Sequence, residues 1–143
     1  MVKTSLVEQD IAEGRRFLDA LKEPTEFTIG RRRLSVVGAS HFRVKAAFWW
    51  YLPESLEWRL AIATPLVDEK GPLEAYKDIQ KVLIWHPDLN LSLQNISVLS
   101  PKDERVKAFN KALKIAPDRF GVRLTRSALN GTYIEDAYVY RLH

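Results

Sequence analysis

Residues 42–52, FRVKAAFWWYL, form the most apolar stretch of the chain and constrain its fold more than any other. Successive side chains of a strand point to opposite faces, so Phe48, Trp49, Trp50 and Tyr51 put rings on both. A strand apolar on both faces belongs at the centre of a sheet, covered on each side by the rest of the chain or by a second chain. Pro53-Glu54-Ser55 supply a turn, and WRLAIA at 58–63 returns as the partner strand. A four-residue loop then sets Trp50 opposite Arg59 and Trp49 opposite Leu60.

A second register follows from Asn130-Gly131, which lies between two alternating segments. Both central residues of a type I′ turn need positive φ, and Asn-Gly meets that need best. The turn sets Val122 opposite Val139, Leu124 opposite Ala137 and Arg126 opposite Glu135. Val122, Leu124, Ala137 and Val139 share one side, read as the core face. Arg123, Thr125, Asp136 and Tyr138 fall on the other.

Three helices are expected. Ser5 and Glu8 read as a capping box, with Val7, Ile11, Gly14, Leu18 and Leu21 on one face behind it. Gly14 within that stripe implies close approach of a neighbour, and Pro24 ends the helix. Gly71-Pro72 opens a second helix with Leu73, Tyr76, Ile79 and Leu83 inward and Glu74, Lys77, Asp78 and Lys81 outward. The third has Asp103 in capping position, and Val106, Phe109, Leu113 and Ala116 inward. Residues 26–38, EFTIGRRRLSVVG, read as two short strands about Gly30, and 95–99 as another.

The order is therefore α-ββ-ββ-α-β-α-ββ, an α+β domain spanning 1–143. Its mainly antiparallel curved sheet has up to seven strands, with the helices packed mostly on one face. A chain of 143 residues buries roughly 70% of its unfolded surface, enough for a core without staples. The sequence contains no cysteine, which excludes disulfides, thiolate zinc sites and cysteine nucleophiles. No apolar stretch approaches the roughly 18 residues that span a bilayer. The opening MVKTSLVEQDIAEG carries charges where a signal peptide needs its apolar core. The expected location is the cytoplasm, without a membrane partner.

Catalytic signatures fail one by one. GxxxxGK[ST], GxGxxG and Gly-x-Ser-x-Gly are absent, and His41, His86 and His143 lack companions at metal-ligand spacing. No catalytic residue, metal or cofactor is expected. Three candidate surfaces remain. Trp49, Trp50, Trp58 and Arg59 combine the residue types that concentrate in protein interfaces, with Trp50 and Arg59 placed to stack. Arg123, Thr125, Asp136 and Tyr138 form a polar cluster, otherwise a solvated face with ordinary cross-strand pairs.

The third surface is basic. The net charge of +4 sits wholly after Ser100, where 9 basic residues meet 5 acidic ones. Lys107, Lys111 and Lys114 share a helix face followed by Arg119, a stripe able to neutralise phosphates or simply to face water. The expected function is a non-catalytic protein–protein interaction or regulatory module of a bacterial cell, working on a protein partner or as a homodimer. The alternative is a nucleic-acid-associated accessory protein using the basic C-terminal third. A small enzyme built on Arg123, Asp136 and Tyr138 ranks third.

Overall fold

A computed structural model describes residues 5–22, 25–29, 32–36, 42–116, 120–129 and 131–142. The fold is α+β. Helix α1 (Glu8–Lys22) precedes a hairpin, β1 (Thr25–Ile29) and β2 (Arg32–Val36), that forms a two-stranded sheet of its own. The main sheet follows: β3 (Ala46–Leu52), β4 (Glu57–Ala63), β5 (Ile96–Leu99), β6 (Gly121–Leu129) and β7 (Thr132–Tyr140). Helices α2 (Leu66–Lys70) and α3 (Pro72–Trp85) carry the chain from β4 to β5, and α4 (Glu104–Ile115) carries it from β5 to β6.

Strand order is β5-β4-β3-β7-β6, which puts the two-faced apolar strand in the middle. The sheet is mixed, because β5 runs parallel to β4. Parallel neighbours need a crossover, and α2 with α3 provide it. Of the up to seven strands expected, five form the main sheet, and the 26–38 hairpin, whose membership the sequence left open, pairs apart as β1 and β2. Both hairpin registers agree with the sequence reading at Trp50–Arg59, Trp49–Leu60, Leu124–Ala137 and Val122–Val139, but the expected Arg126–Glu135 pair is absent from the ladder.

The helices pack mostly on one face, as expected, with α4 the exception. Phe17, Leu18 and Leu21 of α1 and Ala75, Ile79 and Val82 of α3 pack with Ala47, Trp49, Leu60 and Ile62. Val106 and Phe109 of α4 pack on the opposite side with Ala46, Phe48, Ala61 and Ala63. Phe109 meets Phe48 at 4.2 Å between ring centroids. The central strand needed two covers, and α4 is the second.

The face of α3 is rotated from expectation, whereas that of α1 is as expected from Ile11 onward, with Phe17 added. In α3 the buried residues are Ala75, Asp78, Ile79 and Val82, and Leu73 is exposed. In α1 they are Gly14, Phe17, Leu18 and Leu21, while Val7 is exposed. The start of α1 is held by Asp10, whose Oδ2 accepts from the Val7 N–H at 2.9 Å, in place of the Ser5–Glu8 box. Asp103 caps α4 as expected, accepting from the Arg105 N–H.

Gly14 marks the closest approach of α1 to the sheet. A Cβ there would lie 2.1 Å from Tyr140 Oη and 2.9 Å from Trp49 Nε1. Trp49 Nε1 donates to Tyr140 Oη at 3.0 Å, and that hydroxyl donates to the Ile11 carbonyl at 2.6 Å. Nearby, Arg141 donates to the Leu113 and Ala116 carbonyls, satisfying the C-terminal end of α4.

Candidate functional site

The central strand is paired unequally. β3 meets β4 at seven positions from Ala46↔Ala63 to Leu52↔Glu57. It meets β7 at three: Phe48↔Val139, Trp49↔Tyr138 and Trp50↔Ala137. Both strands run on, β3 to Leu52 and β7 back to Thr132, but their shared ladder has stopped. The ladder between the β3–β4 and β6–β7 hairpins ends here, and a cavity lies on each side of this point.

The first cavity, about 510 Å³, lies on the face shared with α1 and α3 and is lined by Tyr51, Trp58, Thr125, Arg126, Glu135 and Asp136. The second, about 300 Å³, lies on the α4 face, where Trp50, Leu52, Arg105, Tyr133 and Ile134 contribute. Tyr51, Glu135 and Asp136 line both. Each volume falls within or at the edge of the range of ordinary ligand sites.

Arg126 stands beside this point, on the far strand of the last hairpin. Its φ is 45°, left-handed backbone that is costly for a residue with a Cβ, by roughly 1–2 kcal/mol. The β6–β7 ladder pairs Thr125 with Asp136 and Ser127 with Ile134 but skips Arg126 and Glu135. Beyond this point the faces exchange. Val122, Leu124, Ala137 and Val139 pack with α4 on one side of the kink, and Leu129 and Ile134 take over that face on the other. The kink turns two charged residues out of the phase of the core face, and such kinks raise local twist.

Of the polar candidates, the structure brings Arg123, Thr125 and Asp136 together beside the first cavity. Arg123 Nε and Nη2 donate to the two carboxylate oxygens of Asp136 at 2.7 and 2.9 Å, and the guanidinium lies 5.3 Å from the centroid of the Trp58 ring. Asp136 holds the Arg123 guanidinium above its usual pKa. The two charges satisfy each other. Tyr138 stands edge-on to Tyr140 at 5.1 Å.

The aromatic candidates divide. Trp49 is fully buried and Trp58 almost so, which makes them core covered by this chain's own helices. Trp50 is half-buried beneath Arg105, at 4.5 Å, where Arg59 had been expected to stack. Arg59 Nε instead donates to Glu57 at 3.0 Å. The Trp50 indole N–H is buried without an acceptor among the described residues. An unmet buried donor costs about 1–3 kcal/mol.

Lys107, Lys111 and Lys114 are all exposed on α4, and Lys107 stands 3.7 Å from Glu104. Arg119 lies outside the described residues. Among the described residues, no three His, Cys, Asp or Glu side chains converge as a metal ion would require. Among them, too, no helix is long and apolar enough to cross a membrane.

Sequence reasoning missed Arg126, Glu135, Tyr51 and Arg105 as site residues. A signal for the first two was present: the hairpin register placed an arginine and a glutamate in the phase of the core face. A charge pair at core phase conflicts with the pattern around it, and such conflicts mark kinks or sites. Comparison with family models, characterised proteins and solved structures finds no match to this chain.

Proposed function

We propose that the chain is a non-catalytic protein-interaction module that receives an extended segment of a partner protein in the split between its hairpins. One observation carries this reading: the β3–β7 ladder ends at Trp50↔Ala137 although both strands continue. Tyr51 and Leu52 are paired with β4 on one side, and most of 132–136 with β6 on one side. Their other edges face the split. Unpaired strand edges bind extended peptides through main-chain hydrogen bonds, and flanking cavities give side-chain selectivity. Tyr51, half-buried beside the core residue Trp58, and the arginines nearby belong to the residue types that anchor interfaces. A cysteine-free chain suits a reducing cytoplasm, where we place the partner.

A direct test of the split uses Tyr51→Cys with Asp136→Cys, the next pair of a continued ladder. Paired strands would hold these Cα atoms roughly 4.5–5.5 Å apart, within disulfide range. Mild oxidation should leave both thiols free, and those amides within 132–136 that point away from β6 should exchange with solvent far faster than the amides of the paired β3–β7 segment. Rapid, complete disulfide formation would overturn the reading. A second reading, nucleic-acid association through Lys107, Lys111 and Lys114, draws on their shared exposure. It requires salt-sensitive retention of DNA or RNA that the triple glutamate variant loses.

A further inference from the structure

We infer that a second copy of this chain docks on the outer edge of β6, the two strands pairing antiparallel about a two-fold axis so that the sheets of both copies join into one.

Sheet edges invite pairing, and proteins protect the ones that must stay alone. The two edges of this sheet are treated differently. β5 is four residues long, and the Val98 N–H donates to Tyr76 Oη of α3 at 3.0 Å. β6 runs for nine residues at the other end of the strand order, and among the described residues no strand lies beyond it. The phase of its ladder follows from the Phe120 carbonyl, which accepts the Arg141 N–H at 3.1 Å. Main-chain groups alternate in direction along an antiparallel strand. Those of Val122 and Leu124 therefore turn to β7, and those of Gly121, Arg123 and Thr125 turn outward. The Ser127 hydroxyl donates to the Thr125 carbonyl at 3.0 Å, as an outward carbonyl allows.

Charge is a common guard of an exposed edge. Between Gly121 and Thr125 the one charged residue is Arg123, and Asp136 of the neighbouring strand cancels it through hydrogen bonds of 2.7 and 2.9 Å. The free stretch thus carries no net charge until the left-handed backbone at Arg126 ends it.

The edge matches itself, and that selects a second copy as the occupant. A two-fold axis normal to the sheet keeps the α4 sides of both copies together. Centred on Leu124, it sets Leu124 against Leu124 of the second copy and Arg123 against its Thr125. Arg123 and Thr125 then exchange main-chain hydrogen bonds in both directions, and no arginine directly faces another, which would be unfavourable. Val122 and Leu124 are only partly buried where the core under α4 reaches the edge, and this pairing continues the apolar row across the axis. On the opposite face, Thr125 and Asp136 of one copy line up with Arg123 of the other.

The test is hydrogen exchange of the full chain from about 5 to about 500 µM, with mass by light scattering at the same concentrations. The mass should double over this range. The amides of Arg123 and Thr125 should slow by about tenfold or more as the dimer fills, while those of Val122 and Leu124, bonded to β7 in either state, hold constant. Thr125→Pro removes an outward N–H at a place where an edge strand tolerates proline, so it should fold and weaken the dimer by about tenfold. A chain that keeps one mass across the range overturns the inference. So does a dimer in which the Arg123 and Thr125 amides exchange as they do in the monomer, or one that folded Thr125→Pro leaves unchanged. If the proline variant does not fold, the wild-type amide pattern decides alone.

Discussion

Gly14 and Tyr140 contest the same space, and a double-mutant cycle measures that contest. In Gly14→Ala the new methyl falls 2.1 Å from Tyr140 Oη, so the hydroxyl must leave. Helix propensity favours alanine by about 1 kcal/mol. Against it stand the loss of the bonds from Trp49 Nε1 and to the Ile11 carbonyl, and overpacking of typically 1–3 kcal/mol. The net expectation is a loss of about 2–3 kcal/mol. Tyr140→Phe removes the same hydroxyl without the clash and costs about 1–3 kcal/mol. In the double variant the hydroxyl is lost once, not twice, and the methyl occupies its place. Some crowding remains, because the Cβ still stands 2.9 Å from Trp49 Nε1 and 3.0 Å from Tyr140 Cζ. The double variant should therefore be about 1–2 kcal/mol more stable than the sum of the singles predicts. Urea unfolding of the four proteins, followed by circular dichroism with m-values compared, reads this directly. Additivity within about 0.5 kcal/mol would refute the claim that α1 and β7 compete for one volume.

Arg126→Gly should stabilise the fold by about 0.5–1.5 kcal/mol, since glycine adopts φ 45° without strain, and thermal melting should rise by roughly 2–5 °C. Arg126→Val should lower the melting temperature, because a β-branched residue resists that backbone; a rise would show that the kink is not built at this residue. Burial drives the Tyr140 phenol well above its ordinary pKa. The unfolded chain then ionises first, so the stability this contributes is complete below pH of about 10 and falls as pH rises. Alkaline titration of unfolding free energy should show a slope that Tyr140→Phe reduces. Asp103→Ala should cost about 1 kcal/mol through loss of the α4 cap. The Arg105 hydrogen bond holds the Asp103 carboxyl below its ordinary pKa, so its stabilisation is present above pH of about 4 and fades as pH falls further. Acid unfolding compared between wild type and this variant measures the difference.

Local geometry was legible where a short turn dictates pairing. The short connections implied by Asn-Gly in the sequence and by the four residues after Leu52 leave little freedom of register, and both hairpins pair as their sequences imply except at Arg126 and Glu135. Helix faces were less legible, because α3 carries overlapping apolar stripes. Weighting by size chose Leu73, whereas the sheet accommodates the smaller Ala75 and buries Asp78, which lies 3.9 Å from Lys81. That choice depends on what the helix packs against, which no local pattern contains. The same holds for α4. Nothing within residues 104–115 says which side of the sheet it covers, although the two-faced strand at 42–52 required a cover on each side. For the site, the polar cluster at Arg123 and Asp136 was visible in the register. The split beside it was not, because it comes from pairs that fail to form.

The two ends of the β3–β7 junction are built for opposite purposes. At one end Trp49, Tyr140 and the Ile11 carbonyl form a buried chain of hydrogen bonds, and Arg15 donates to the Phe120 and Arg141 carbonyls. That end ties α1 to the sheet. At the other end the left-handed backbone of Arg126 exchanges the faces of both strands of the last hairpin, and the ladder to β3 stops at Ala137. Had Arg126 and Glu135 followed regular alternation, they would lie among Val122, Leu124, Ala137 and Val139 under α4, an unfavourable place for charge. The kink resolves this by sending Leu129 and Ile134 to that face, so the core under α4 continues past the point where the β3 ladder ends. One strained residue thereby keeps an apolar face continuous and stands beside the end of the ladder. A glycine at 126 would do both at less cost in strain, and what only the arginine adds is a guanidinium on the cavity wall.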